Sequence, residues 1–148
     1  MQTTVNQLLK RKGNQIWSVA PTDSVDKAVK LMAQRKVGAL MVMKDNAVVG
    51  VFSERDLARN MAHKGFSNPN IPVSEMMSRQ VYYVNPTMTM VDCMKFMTEK
   101  RIRHLPVMEN NKLVGVVSIG DVVNSIIQDQ ESEIKDLENY IIGGTFQG

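Results

Sequence analysis

Val49-Gly50-Val51-Phe52-Ser53-Glu54-Arg55-Asp56 recurs, 65 residues further along, as Val114-Gly115-Val116-Val117-Ser118-Ile119-Gly120-Asp121. Each copy starts as a β-branched run and ends as Gly-x-x-Ser-x-x-Asp, the pattern of a strand passing into a capped helix. Working outward, the same offset holds without a gap from Val19/Val84 through Lys30/Lys95, Met32/Met97, Leu40/Leu105, Val42/Val107 and Asn46/Asn111 to Asp56/Asp121. One unit has been duplicated. Two copies are too few for a solenoid, so the expectation is two pseudo-symmetric halves that bury their apolar faces against each other.

The periodicity changes in the same order in both units. Pro21-Thr22-Asp23-Ser24 supplies turn and cap chemistry, and Val25, Ala28, Val29 and Met32 follow with helical spacing; Met90, Cys93, Met94 and Met97 repeat that stripe. A β-rich run follows, Val37 to Met43 or Arg103 to Met108. A polar turn (Lys44-Asp45-Asn46 or Glu109-Asn110-Asn111) leads to Val48 to Phe52 or Leu113 to Val117, which reads as a hairpin. A second helix then carries Leu57 and Met61, or Val122, Val123, Ile126 and Ile127. The unit is β-α-β-β-α and the fold class α+β. Outside the repeats, Thr4 to Lys12 predicts a leading helix ending near Gly13, and Lys64 to Pro72 a Gly/Pro/Asn-rich connector. Asp129 to Tyr140 predicts a separate surface helix with Ile134, Leu137 and Ile141 on one side, frayed by Gly143-Gly144. The expected divisions are 1–14, 15–73, 74–130 and 131–148.

Composition excludes several classes of function. A chain of 148 residues with 43% hydrophobic and 22% charged residues is an ordinary globular composition. The net charge of +3 and 5% aromatic content argue against a nucleic-acid binder, while leaving small anionic ligands open. Cys93 is the only cysteine, which excludes an intrachain disulfide and suits a reducing, cytoplasmic setting. The polar start and the short apolar run from Val37 to Met43 predict neither signal peptide nor membrane span. His63, His104 and Cys93 are scattered, without zinc-ligand spacing, and Cys93 lies on an apolar helical stripe as a packed thiol. No activated nucleophile, Walker loop or GxGxxG is present, so no catalytic residue or enzyme activity is expected. The twelve methionines are assigned to core and subunit contacts.

The duplicated tetrads admit two readings. A strand turning into a helix presents free N–H groups and a dipole end suited to an anion, and the carboxylate one turn in can accept ribose hydroxyls. Ser-x-x-Asp is equally a capping box. Arg55 and the run Lys100-Arg101-Ile102-Arg103-His104 add candidate phosphate contacts. Of these, Lys100 and Arg101 read more simply as solvated charge, and His104 as either a structural or a phosphate-facing side chain.

Taken together, Val-x-Pro-x-x-Ser/Thr, the amphipathic helix, the hairpin with Ile102-Arg103-His104-Leu105-Pro106-Val107 and the two Gly-Val-x-Ser-x-x-Asp strings resemble a tandem pair of cystathionine-beta-synthase (CBS) domains, a Bateman module, over roughly Gln15 to Gln128. Stand-alone bacterial members have a string similar to Ser53-Glu54-Arg55-Asp56-Leu57. The resemblance implies two repeats packed sheet to sheet, with an adenosine-containing ligand (AMP, ADP, ATP, NAD or S-adenosylmethionine) in clefts between them. Carried onto this chain, it implies that Asp56 and Asp121 hold ribose hydroxyls, with Ser53 and Ser118 beside ribose and phosphate. Thr22, Thr87, Val37, Gly38, Ile102 and Arg103 would flank adenine, and Arg55, Arg103 and His104 would meet phosphate. Pro106 is a further candidate contact, replaced by Met41 in the first copy. Gly38-Ala39 standing where Arg103-His104 stand, and Gly120 where Arg55 stands, imply unequal clefts. The resemblance also implies a homodimer through the helices and an effector protein acting in trans; the alternative is a structural or interaction protein with no nucleotide.

Overall fold

The two polar turns set the hairpins. Asp45, Asn46, Asn110 and Asn111 all take left-handed φ values between 51° and 65°, which a two-residue primed turn requires and Asn and Asp tolerate. These turns join β2 (Ala39–Lys44) to β3 (Ala47–Ser53) and β4 (His104–Glu109) to β5 (Lys112–Ser118), with matching register shifts at Val42/Met43 and Val107/Met108. The computed structural model describes residues 2–65 and 68–141.

The crossover helices are equally matched. Ser24 caps α2 (Val25–Arg35) and Thr89 caps α4 (Met90–Lys100), each side chain accepting from the N–H three residues on. Both helices end at a left-handed residue, Lys36 or Arg101, with φ 56° and ψ 46°. β1 (Ser18–Val19) pairs in parallel with β2, whereas its counterpart in the second half is a single bridge from Val84 to Val107. With α3 (Glu54–Lys64) and α5 (Ile119–Ile141), the α+β unit is present twice, and β3 and β5 come into contact between the halves.

Each half has its own core, completed by a segment from outside its repeat. The leading helix α1 (Val5–Lys12), boxed by Thr4 and Gln7 and ended by Gly13, buries Val5, Leu8 and Leu9 in the second core. The 3-10 turn Val73–Glu75 that follows the connector brings Val73 and Met76 into the first core. Glycine makes both dockings possible. A Cβ on Gly115 would lie 2.7 Å from Leu9 Cδ2, and one on Gly50 would lie 2.6 Å from Met77 Sδ. Met32, Met41, Met76, Met90 and Met97 are buried, which agrees with core use of the thioethers.

The expected separate tail helix is not separate. Helix α5 runs unbroken for 23 residues through Gln128-Asp129-Gln130, a stretch without glycine or proline to stop it. Tertiary contacts also hold the join: Thr3 donates to Asp129 through N–H and Oγ1, each at 2.8 Å, and Arg11 donates to Gln128. Gly143-Gly144, and Phe66 and Ser67 of the connector, lie outside the described residues.

Candidate functional site

Both Ser-x-x-Asp tetrads close as capping boxes. In the first, Asp56 N–H donates to Ser53 Oγ at 3.1 Å, while Asp56 Oδ2 accepts from Ser53 N–H and Oγ–H at 3.0 Å each. Asp56 Oδ1 accepts from Ser78 Oγ at 2.8 Å, and the residue is only 6% exposed. In the second, Asp121 N–H donates to Ser118 Oγ at 3.2 Å, and Asp121 Oδ2 accepts from Ser118 N–H at 3.0 Å and Lys12 Nζ at 2.8 Å. Burial pushes the Asp121 carboxyl up, but the Lys12 ammonium and the Ser118 donors outweigh it and hold the group below its usual range.

A cleft of about 760 Å³ opens beside the first tetrad, where the two halves meet. Its first wall carries Gly38, Ser53, Arg55, Asp56 and Arg59; Ser78, Gln80, Val81 and Tyr82 line it from the strip after the connector, and Lys100 to His104 from the second half. Five cationic side chains (Arg55, Arg59, Lys100, Arg101, Arg103) face two carboxylates, Glu54 and Asp56. The lining is therefore suited to an anion. Arg55 Nη1 donates at 2.7 Å to the Arg101 carbonyl, bolting α3 to the exposed C-terminal end of α4. Lys100 Nζ lies 5.2 Å from the Tyr82 ring centroid. A side cavity of about 180 Å³ shares Arg55, Arg101, Ile102 and Arg103 with the main cleft.

The sequence candidates Gly38, Ser53, Arg55, Asp56, Ile102, Arg103 and His104 are brought together around this cleft. Thr22, Val37, Thr87, Pro106, Ser118 and Asp121 are not among its lining residues. Thr22 and Thr87 are exposed turn residues, Val37 precedes β2, and Pro106 is buried in β4 opposite Val116. Lys100 and Arg101, read from sequence as solvated charge, both line the cleft, because the αL turn at Arg101 swings the chain back across the junction. Arg59, Ser78, Gln80, Val81 and Tyr82 were missed. A signal for three of them existed: extended backwards, the repeat aligns Gln80-Val81-Tyr82 with Gln15-Ile16-Trp17. The cation over an aromatic ring recurs there too, with Arg35 4.1 Å from the Trp17 centroid.

The His104 ring packs beside Gly38, where a Cβ would lie in ordinary contact at 3.4 Å from His104 Cε1 and Nε2. Burial pushes the imidazole pKa below its ordinary value, opposed by Glu54 and Asp121 and assisted by Arg103 and Lys12. The unfolded chain therefore takes up this proton first, near about pH 6.5, so the contribution is complete above that value and is lost on acidification. The urea midpoint is expected to fall between about pH 7 and 5, and to fall less in His104→Gln. Parallel slopes for the two proteins would contradict this. Cys93 is fully buried, and burial together with Asp92 pushes its thiol up to about 11, the behaviour of a core residue.

Two pseudo-symmetric β-α-β-β-α units with a basic cleft at their junction define a duplicated α+β module. The chain belongs to the CBS domain family, whose family profile matches residues 9–63 and 73–128. The mitochondrial CBS domain-containing protein CBSX3 of Arabidopsis thaliana is 36% identical over 96% of this chain and 73% of its own length. The crystal structure of a CBS-domain containing protein from Agrobacterium tumefaciens superposes with a TM-score of 0.81 at 38% identity, covering 84% of this chain and 94% of that one. A CBS domain protein from Pyrobaculum aerophilum complexed with AMP superposes with a TM-score of 0.70 at 26% identity, covering 80% and 89%. Among the described residues no helix is long and apolar enough to cross a membrane.

Proposed function

We propose that the chain is a non-catalytic regulatory module that binds an adenosine-containing ligand, AMP, ADP, ATP or NAD, in the first cleft. One observation carries this reading: a single junction cleft combines Asp56 with five cationic side chains contributed by both halves. The AMP complex of the Pyrobaculum aerophilum relative supports the ligand class. Asp56 Oδ1 accepts one bond from Ser78 and keeps capacity for a ribose hydroxyl. Tyr82 and Ile102 offer flat and apolar surface to the base, and Arg55, Arg101 and Arg103 receive phosphate. Because the walls come from different halves, an occupant ties α3 to α4 and changes how the halves sit. A homodimer formed through the helix faces presents that change to a separate effector protein, in the cytoplasm.

A purely structural reading is favoured by the existing partners on both oxygens of Asp56. A thermal-shift panel separates the two. A bound ligand at a hundred times its Kd adds about 2.7 kcal/mol, which for a chain of this size raises Tm by about 5–10 °C. No shift with AMP, ADP, ATP or NAD, and no adduct in native mass spectrometry, would leave a well-capped scaffold.

A further inference from the structure

The repeat offset places Lys12 and Gly13 where Met77 and Ser78 stand in the other half. Ser78 exchanges backbone bonds with Val51 at 2.9 and 3.0 Å and satisfies Asp56 with a neutral hydroxyl. Gly13 has no hydroxyl to offer. Lys12 reaches Asp121 instead, Nζ to Oδ2 at 2.8 Å, on the same oxygen that accepts from Ser118 N–H. The first carboxylate thus meets neutral donors, and the second meets a cation of its own chain.

Lys12 is delivered by a well-anchored element. Val5, Leu8 and Leu9 of α1 are buried in the second core, Leu9 occupies the space over Gly115, and Gly13 N–H closes the helix onto the Leu9 carbonyl at 2.9 Å. A group tethered this closely competes at an effective concentration of about the millimolar range or above. The second tetrad also lacks a compensating phosphate cradle, since Arg55, Arg59 and Arg103 correspond to Gly120, Asn124 and Gly38.

We infer that Lys12 is a built-in partner of the Asp121 carboxylate at the second tetrad, and that it limits the chain to one nucleotide, held in the cleft beside Asp56. The inference rests on the nucleotide reading of the first cleft. Its test counts ligands by isothermal calorimetry on wild type, Lys12→Ala and Lys12→Arg, each first saturated with AMP and then titrated with adenosine, with Tm recorded to confirm folding. Wild type and Lys12→Arg are expected to hold one AMP per chain and take up nothing further. Lys12→Ala is expected to hold one more nucleoside, AMP or adenosine, which is lost again in Lys12→Ala/Asp121→Asn. Two nucleosides on wild type, or one on both wild type and Lys12→Ala, would overturn the role of Lys12 while leaving the first cleft a nucleotide site. No AMP on wild type would remove the nucleotide reading, and this inference with it.

Discussion

An Asp56→Ala chain is expected to bind AMP about 10- to 100-fold more weakly than wild type. Hydrogen bonds to a charged group contribute about 1.5–3 kcal/mol, and each 1.4 kcal/mol is roughly tenfold in affinity. The same change removes the acceptor of Ser78 Oγ and Ser53 N–H, so a loss of about 1 kcal/mol in stability accompanies it, the usual effect of deleting a helix cap. Two controls separate binding from folding. Asp56→Asn keeps the shape and one acceptor, and is expected to fold better than Asp56→Ala while still binding weakly. Asp121→Ala lies outside the cleft, and is expected to leave AMP affinity at the first site unchanged. Calorimetric affinity equal to wild type in a folded Asp56→Ala protein would refute the ribose assignment.

The largest stability effect is expected at Phe52. It is fully buried in the first core, and truncation of such a ring to alanine costs about 3–5 kcal/mol through lost transfer energy and a residual cavity. Against a total of about 5–15 kcal/mol for a typical domain, that is a large fraction. For a chain of this size it lowers Tm by about 6–20 °C. The corresponding position in the second half is Val117, also fully buried. The second core makes up volume from α1, whose Val5, Leu8 and Leu9 it contains, and the first has no such helix to close around a hole at Phe52. Urea denaturation of Phe52→Ala measures the effect, and a loss below about 1 kcal/mol would contradict the packing argument. AMP binding should weaken too, because Phe52 immediately precedes the tetrad that holds Asp56.

Much of the architecture was legible because it is written in short-range terms. Asp45-Asn46 and Asn110-Asn111 announce tight turns through the left-handed conformations they tolerate. Ser24, Ser53 and Thr89 announce helix starts through the N–H groups they can satisfy. The tail helix was misjudged for a physical reason: a change in surface polarity after Ile127 does not end a helix that has no breaking residue at that point and is pinned by Thr3 at Asp129. The site was legible only in part. Ser53 and Asp56 carry a motif, whereas Arg59 and Ser78 carry none and line the cleft through where the backbone takes them.

By itself the amino-acid order determined a duplicated β-α-β-β-α unit, its hairpins, its caps and two carboxylates at matching helix starts. These follow from side-chain period, allowed φ values and hydrogen bonds spanning three or four residues. Only the tertiary structure decided that α1 completes the second core, that Arg55 reaches the end of α4, and that Ser78 meets one aspartate while Lys12 meets the other. Such contacts join residues far apart in the chain, and chemically similar partners could have satisfied either carboxylate. Which partner arrives depends on the packing of both cores, a property that no local pattern encodes.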